Sequence, residues 1–280
     1  MVPDPEFEAA RPQLTAVAFR LLGSIDDAED AVQTTWIKAS TAGELRNPAA
    51  WLTTVLTRVC LDQLRMRHRR HEEPLFADLI PAASLAADER YLQRENVSRA
   101  LMVVLDRLTP AQRVAYVLHD LFDVPFREIA ATLATSTGNA KKHASRARER
   151  IAHVDSAPAT PSVDSAVVDA FLAAAAGGDM DRMLTLMAGD CVRTVDPAIA
   201  PPGTRPVVTG AAAVAEETRL FAARIRAATP MFVDDRRCYV IAPGGHLFAV
   251  IGIATRNGRV ATIDIARPGE QTSIAMPIVP

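Results

Sequence analysis

Five cations fall within ten positions of the segment LATSTGNAKKHASRARERI (133–151): Lys141, Lys142, Arg146, Arg148 and Arg150. Cations at this density bind polyanions, because Lys and Arg reach phosphate oxygens and, in the major groove, guanine edges. Whether they act together depends on the face they occupy. With about 100° per residue, Ala144, Ala147 and Ile151 fall within about 40° of Ala140 on a helix. Lys141, Lys142, Ser145, Arg148 and Glu149 take the other side. The pattern predicts a flat apolar stripe that packs closely on another helix, with a cationic face turned away from it. A solvated helix face is the alternative reading of any isolated basic run.

The residues just upstream decide between these. PFREIAATLA (125–134) predicts a helix with proline in its first turn, where the missing N–H costs nothing, and with Ile129, Ala130 and Leu133 for packing. The connection Thr135-Ser136-Thr137 has the length of a helix-turn-helix turn, and in that motif the second helix enters the major groove. Ser145 adds a hydroxyl to the same face. The pairing favours a duplex reader.

Two further segments place other chemistry. In LRNPAAWLTTVLTRVCLDQLRMRHRR (45–70), Leu52, Val55, Leu56 and Val59 share one helix face, and Arg65, Arg67, Arg69 and Arg70 form a phosphate rail at its end. Asp62 and Arg65 are spaced for an intrahelical pair. Trp51 is expected in the core rather than stacked on a base. In SIDDAEDAVQTTWIKA (24–39), Ala28, Ala31, Val32, Thr35 and Trp36 line one side, while Asp26, Glu29, Asp30, Gln33 and Ile37 line the other. An acidic face carrying an isoleucine does not suit DNA. It suits a docked protein, with a solvated face as the alternative.

These elements must be positioned by a chain of 280 residues with net charge −2, long enough for two or three domains. The first 155 residues carry helical patterns throughout (6–22, 26–40, 48–70, 86–107, 111–121, 126–134, 138–152), interrupted by the proline-containing 73–85. After DSAPATPS (155–162) come two helical patterns, a strand at 191–196, the loop PAIAPPGTRP and a helix over 210–227. Three β-rich runs follow, the last two joined by Asn257-Gly258, a hairpin signal. This order predicts helical modules followed by an α+β domain with an antiparallel meander. No stretch is apolar enough to span a bilayer, no secretory leader is evident at the N-terminus, and Cys60, Cys191 and Cys238 have no metal-ligand spacing. Neither a metal nor a cofactor is expected, and a reducing cytoplasm is.

Taken in order, LLGSIDDAEDAVQTTWIKA, NPAAWLTTVLTRVCLDQLR and LDRLTPAQRVAYVLHDLFDVPFREIAATLATSTGNAKKHASRARERI resemble an extracytoplasmic-function (ECF) sigma factor of RNA polymerase. The resemblance implies region 2 over 1–72, a linker over 73–97, region 4 over 98–154 and a second linker over 155–162. Residues 163–280 look like a SnoaL-like domain, of the nuclear-transport-factor-2-like fold: a cone-shaped α+β domain with a curved sheet. The whole is then multidomain, with two all-α sigma modules ahead of that domain. Where related extensions carry an Asp-Gly-Gly-Gly-type loop, this chain reads VDPAIAPPGTRP.

Carried over residue by residue, Asp30 and Gln33 match positions that dock on the clamp of the largest polymerase subunit. Arg46 and Asn47, with Arg65 and Arg67, fall where the unpaired −10 strand is captured. Lys141, Lys142, Ser145, Arg146 and Arg148 fall on the −35 recognition helix. The partners implied are core RNA polymerase and promoter DNA, with the C-terminal domain touching and modulating the sigma modules in cis, and no membrane. A non-enzyme is expected. The rivals are an ordinary helix-turn-helix regulator with a ligand-sensing domain, and an enzyme built on Asp190, Asp196, Asp234, Asp264 or Tyr239.

Overall fold

Helix starts in the N-terminal half are written locally, in capping residues. The computed structural model of the chain describes residues 4–43, 46–70, 82–95, 97–151, 163–201, 203–234, 236–269, 272 and 274–275. Within it α1 (Asp4–Leu22), α2 (Ile25–Ser40) and α3 (Pro48–Arg70) pack on one another. α2 opens where the Ser24 side chain accepts from the Asp27 amide, and Asp26 and Asp27 in its first turn oppose Lys38 in its last, matching the helix dipole. α3 opens at Asn47, whose Oδ1 accepts from the Ala50 amide at 3.1 Å, with Pro48 as first helical residue. Leu14, Phe19, Leu21, Ala28, Val32, Leu52 and Leu56 on these helices are buried, and the rings of Phe7 and Trp36 meet at 4.9 Å.

The pattern over 86–107 predicts one helix, but two form: α4 (Ala82–Arg94) and α5 (Arg99–Asp106). Ser98 is the reason, since its side chain accepts from the Leu101 amide and begins a new helix. α4 lies inside the stretch expected to be a linker, and Asp88 on it accepts from the Ile25 amide at 2.7 Å. Residues 71–81 fall outside the described residues. α6 (Pro110–Tyr116) begins with a reciprocal capping box between Thr109 and Gln112 and runs into a π-helical turn over Val117–Leu121. α7 (Phe126–Leu133) and α8 (Thr137–Ile151) complete the helical half.

The chain divides into two compact units near residue 152. The second begins with α9 (Val163–Gly177) and α10 (Met180–Leu186), then β1 (Met187–Val195), β2 (Val207–Thr209), α11 (Ala211–Leu220) and α12 (Ala222–Ile225). It ends with β3 (Ala228–Val233), β4 (Arg236–Ile241), β5 (Ala249–Arg256), β6 (Arg259–Ala266) and β7 (Ile274–Ala275). These strands form one mixed sheet in the order β2-β1-β6-β5-β4-β3-β7. β3 to β6 are the expected antiparallel meander, and Asn257 and Gly258, both at positive φ, make the β5–β6 hairpin.

Three sequence expectations fail here. The first of the three β-rich runs, over 231–242, is divided between two antiparallel strands paired Val233↔Arg236, because Asp234 adopts a left-handed φ of 48° and reverses the chain. The helix expected over 210–227 divides at Phe221 into α11 and α12. β1 starts at Met187 rather than Cys191 and lies parallel to β6, so the sheet is mixed.

Candidate nucleic-acid and polymerase interface

The α7–α8 pair is held by the apolar stripe the sequence predicts. Ala140, Ala144, Ala147 and Ile151 are buried on α8, Ile129, Ala130 and Leu133 are buried on α7, and α8 packs on α6 as well as on α7. Alanines on this line let the two backbones approach closely. The turn is fixed at both ends: Ala134 takes left-handed φ 52° and closes α7, while Ser136 Oγ accepts from the Asn139 amide at 3.2 Å and opens α8.

Lys141, Lys142, Ser145 and Arg146 are exposed on the opposite face. Lys141 lies over the Phe126 ring at 5.9 Å, and Ser145 donates to Glu149 at 3.3 Å. Arg148 is exposed too, but its Nε donates to Asp120 at 2.6 Å, so part of its charge is already answered within the domain. Arg150, which the stripe leaves on the outer side, turns towards the Gln112 side chain at 3.3 Å. Sequence reasoning missed Thr137 and Asn139. Both are exposed in the first turn of α8, beside the Ser136 cap, and neither carries a charge that would have singled it out in the sequence.

On α2 the two faces separate as expected. Ile25, Ala28, Ala31, Val32 and Thr35 are buried, whereas Asp26, Glu29, Asp30 and Gln33 are exposed and Ile37 is 59% exposed. Trp36 is half-buried. On α3, Leu52 and Leu56 are buried while Val55, Val59 and Trp51 are only half-buried. Arg46 and Asn47 are exposed, and Asn47 also serves as the helix cap described above. Arg65 lies 3.8 Å from Asp62. Arg67 is committed differently, with Nη2 on Asp27 at 2.5 Å and Nη1 on the Leu22 carbonyl at 3.0 Å. Of the expected arginine rail, Arg65 points outward and Arg67 stitches α3 to the α1–α2 turn. The side chains of Arg69 and Arg70 fall outside the described residues.

α1–α3 and α5–α8 belong to one unit and touch directly. Arg113 on α6, 5% exposed, donates from Nη1 to the Leu21 carbonyl of α1 at 2.9 Å and from Nη2 to Asp106 at 2.9 Å. Arg58 on α3 donates to the Ala131 carbonyl at 3.4 Å, and Arg20 lies over the Phe122 ring at 5.3 Å.

The carboxylates considered for catalysis have other engagements. Asp190 pairs with Arg256, Asp196 accepts from the Ala198 amide at 2.9 Å, and Asp264 accepts from Thr194. Asp234 sits in the β3–β4 turn, and Tyr239 donates to Asp169. Burial pushes the Cys60 thiol up to about 12 and Cys191 up to about 11, so both stay protonated and non-nucleophilic at neutral pH. Among the described residues no cluster of metal-ligating side chains occurs, and no helix is long and apolar enough to cross a membrane.

A cation-faced helix-turn-helix, packed in one unit with a three-helix module that bears an acidic outer face, defines a multi-helical protein of the transcription-factor class. Comparison with known proteins narrows this. Residues 7–70 match the family model of sigma-70 region 2, and residues 98–151 match that of sigma-70 region 4. The ECF RNA polymerase sigma factor SigJ of Mycobacterium tuberculosis is 42% identical over 205 residues, covering 68% of this chain and 64% of that protein. The probable ECF sigma factor SigI of the same species is 32% identical over 191 residues, covering 65% of each. The crystal structure of SigJ aligns over 95% of this chain and 96% of that one, at 32% identity and a TM-score of 0.44. The ECF RNA polymerase sigma factor EcfG of Rhodopseudomonas palustris is 30% identical over 147 residues, covering 51% of this chain and 79% of that protein. The chain belongs to the ECF sigma factors of RNA polymerase, and it spans just under two thirds of the length of SigJ and SigI.

Proposed function

We propose that this protein is an alternative sigma factor that binds core RNA polymerase in the cytoplasm and directs it to specific promoters. The observation carrying this reading is the exposed Lys141-Lys142-Ser145-Arg146 face of α8, set over a buried alanine stripe directly after a tight helix turn. That face reads the −35 duplex, with Arg148 contributing less because Asp120 already holds it, and with Thr137 and Asn139 placed at the base edges. Arg46, Asn47 and Arg65 serve the −10 strand, and Arg67 supports them from its pair with Asp27. Asp30 and Gln33, on the acidic face of α2, dock on the clamp of the largest polymerase subunit. Polymerisation chemistry belongs to the core enzyme; this chain supplies recognition.

The test is promoter-specific transcription from a genomic library by core polymerase with and without this protein. Specific starts that depend on the added chain are expected. Asp30→Arg with Gln33→Ala should weaken association with core polymerase at least tenfold, the scale of a few lost polar contacts. Both side chains are exposed, so circular dichroism and melting temperature should stay put. A plain helix-turn-helix regulator would bind DNA without core polymerase and ignore this double substitution.

The second unit modulates that activity in cis. The eight residues 155–162 tether it, which holds it near the sigma modules at about millimolar effective concentration. A chain ending at Asp155 should differ from the full chain in transcription output with saturating core polymerase. Identical output across promoters and salt concentrations would remove the regulatory role.

A further inference from the structure

A carboxylate from outside α8 stands on its cationic face. Lys141, Ser145 and Arg148 follow one another at helical spacing, so they form one outward line over two turns of α8. At the far end of that line Asp120, itself exposed, accepts from Arg148 Nε at 2.6 Å. An acid on a surface suited to polyanions opposes binding unless it has another task.

Asp120 is held there by its own segment. Val117–Leu121 form a π-helical turn, wider than an α turn by one residue, and such turns recur at functional sites. The turn is pinned on its far side, where the rings of His119 and Phe126 meet at 3.8 Å and His119 Nδ1 donates to the Val124 carbonyl at 3.1 Å. The Val124 amide donates back to the Leu118 carbonyl at 2.9 Å. The Asp120 side chain is 21% exposed against 47% for Arg148. The acid is therefore the anchored member of the pair, and the longer arginine reaches to it.

We propose that Asp120 withholds Arg148 from the duplex and so holds down the sequence-blind affinity of α8 for DNA. This rests on the reading that α8 enters the groove. Exposed ion pairs are weak singly, but a phosphate that takes Arg148 strands the Asp120 carboxylate beside the backbone. That like-charge contact opposes the exchange. Phosphate contacts position a protein without reading sequence. A genome offers roughly 10⁶–10⁹ competing non-specific sites, so one more phosphate contact would draw the free chain onto the wrong DNA and away from core polymerase. Asp120 removes that contact while leaving the rest of the reading face intact.

The test titrates the full chain, without core polymerase, against a fluorescein-labelled duplex of arbitrary sequence at several salt concentrations. Asp120→Ala should bind about eightfold more tightly at 0.1 M salt and steepen the salt slope by about 0.9, the figures for one added phosphate contact on B-form DNA. In an Arg148→Ala background the same substitution should change neither, because no cation is released. Asp120 is exposed, so the variant should melt close to the parent. Asp120→Asn, equal in shape but uncharged, takes its place should the alanine variant melt early. Unchanged affinity and slope overturn the proposal. So does an equal gain in the Arg148→Ala background, which would be the effect of the acid's own charge. Replacing Lys141 and Lys142 by alanine separates this proposal from the reading beneath it. If that variant loses affinity while Asp120→Ala gains none, the withheld arginine alone is wrong. If no variant alters duplex binding, α8 does not read DNA and the proposal falls with that reading.

Discussion

Replacing Lys141 and Lys142 together by alanine should weaken binding to promoter duplex by about 60-fold at 0.1 M salt and lower the salt slope by about 1.8. Each cation that neutralises a phosphate releases about 0.9 counterion per contact on B-form DNA, which fixes both figures. The helix itself should survive, since both lysines are exposed and alanine is the better helix former. Because phosphates carry no sequence information, the loss should be uniform across promoter variants. Arg146→Ala should behave differently: a base-reading arginine is worth about 1–3 kcal/mol of discrimination, so the variant relaxes sequence preference at one or two positions. Arg148→Ala should do least, because its Nε is already on Asp120. Electrophoretic or fluorescence titration at several salt concentrations measures all three. An unchanged slope in the double lysine variant would return α8 to a merely solvated face.

Arg113→Ala should cost about 2–3 kcal/mol of stability in the first unit. Truncating one member of a buried ion pair typically costs about 3–5 kcal/mol because the other charge is stranded. Here Asp106 keeps 36% of its side chain in water, so solvent recovers part of that. The Leu21 carbonyl loses its partner as well. Both tryptophans of the chain, Trp36 and Trp51, lie on α2 and α3, so urea unfolding followed by tryptophan fluorescence reports this unit selectively. The midpoint should fall with the denaturant slope unchanged. Arg113→Lys should be intermediate, since an ammonium keeps the charge but not the two-pronged donor geometry. A loss below about 1 kcal/mol would mean that apolar packing alone holds α6 against α1. In the proposed function this bond has a second consequence. It joins the segment matched to region 4 to the segment matched to region 2, and both must spread apart to reach two promoter elements.

Much of the helical half was legible because helix signals are local. The stripe Ala140-Ala144-Ala147-Ile151, the outward acidic face of α2 and the Asn257-Gly258 hairpin each follow from side-chain periodicity or from a residue's own φ preference. The cap at Ser98 is equally local, but continuous apolar periodicity on either side masks it in the sequence. What the sequence determined by itself is therefore which faces are apolar, where the cations stand on α8, and that helical modules precede an α+β domain. Only the tertiary structure decided which charges are already spent. Arg67 meets Asp27 across 40 positions, Arg148 meets Asp120 across 28, and Arg113 meets Leu21 across 92. It also decided that β1 lies parallel to β6 and that Arg193 and Glu217 share a largely apolar cavity. No local period encodes such pairs. They form because packing brings distant segments together and leaves a buried charge with only the partners that the fold supplies.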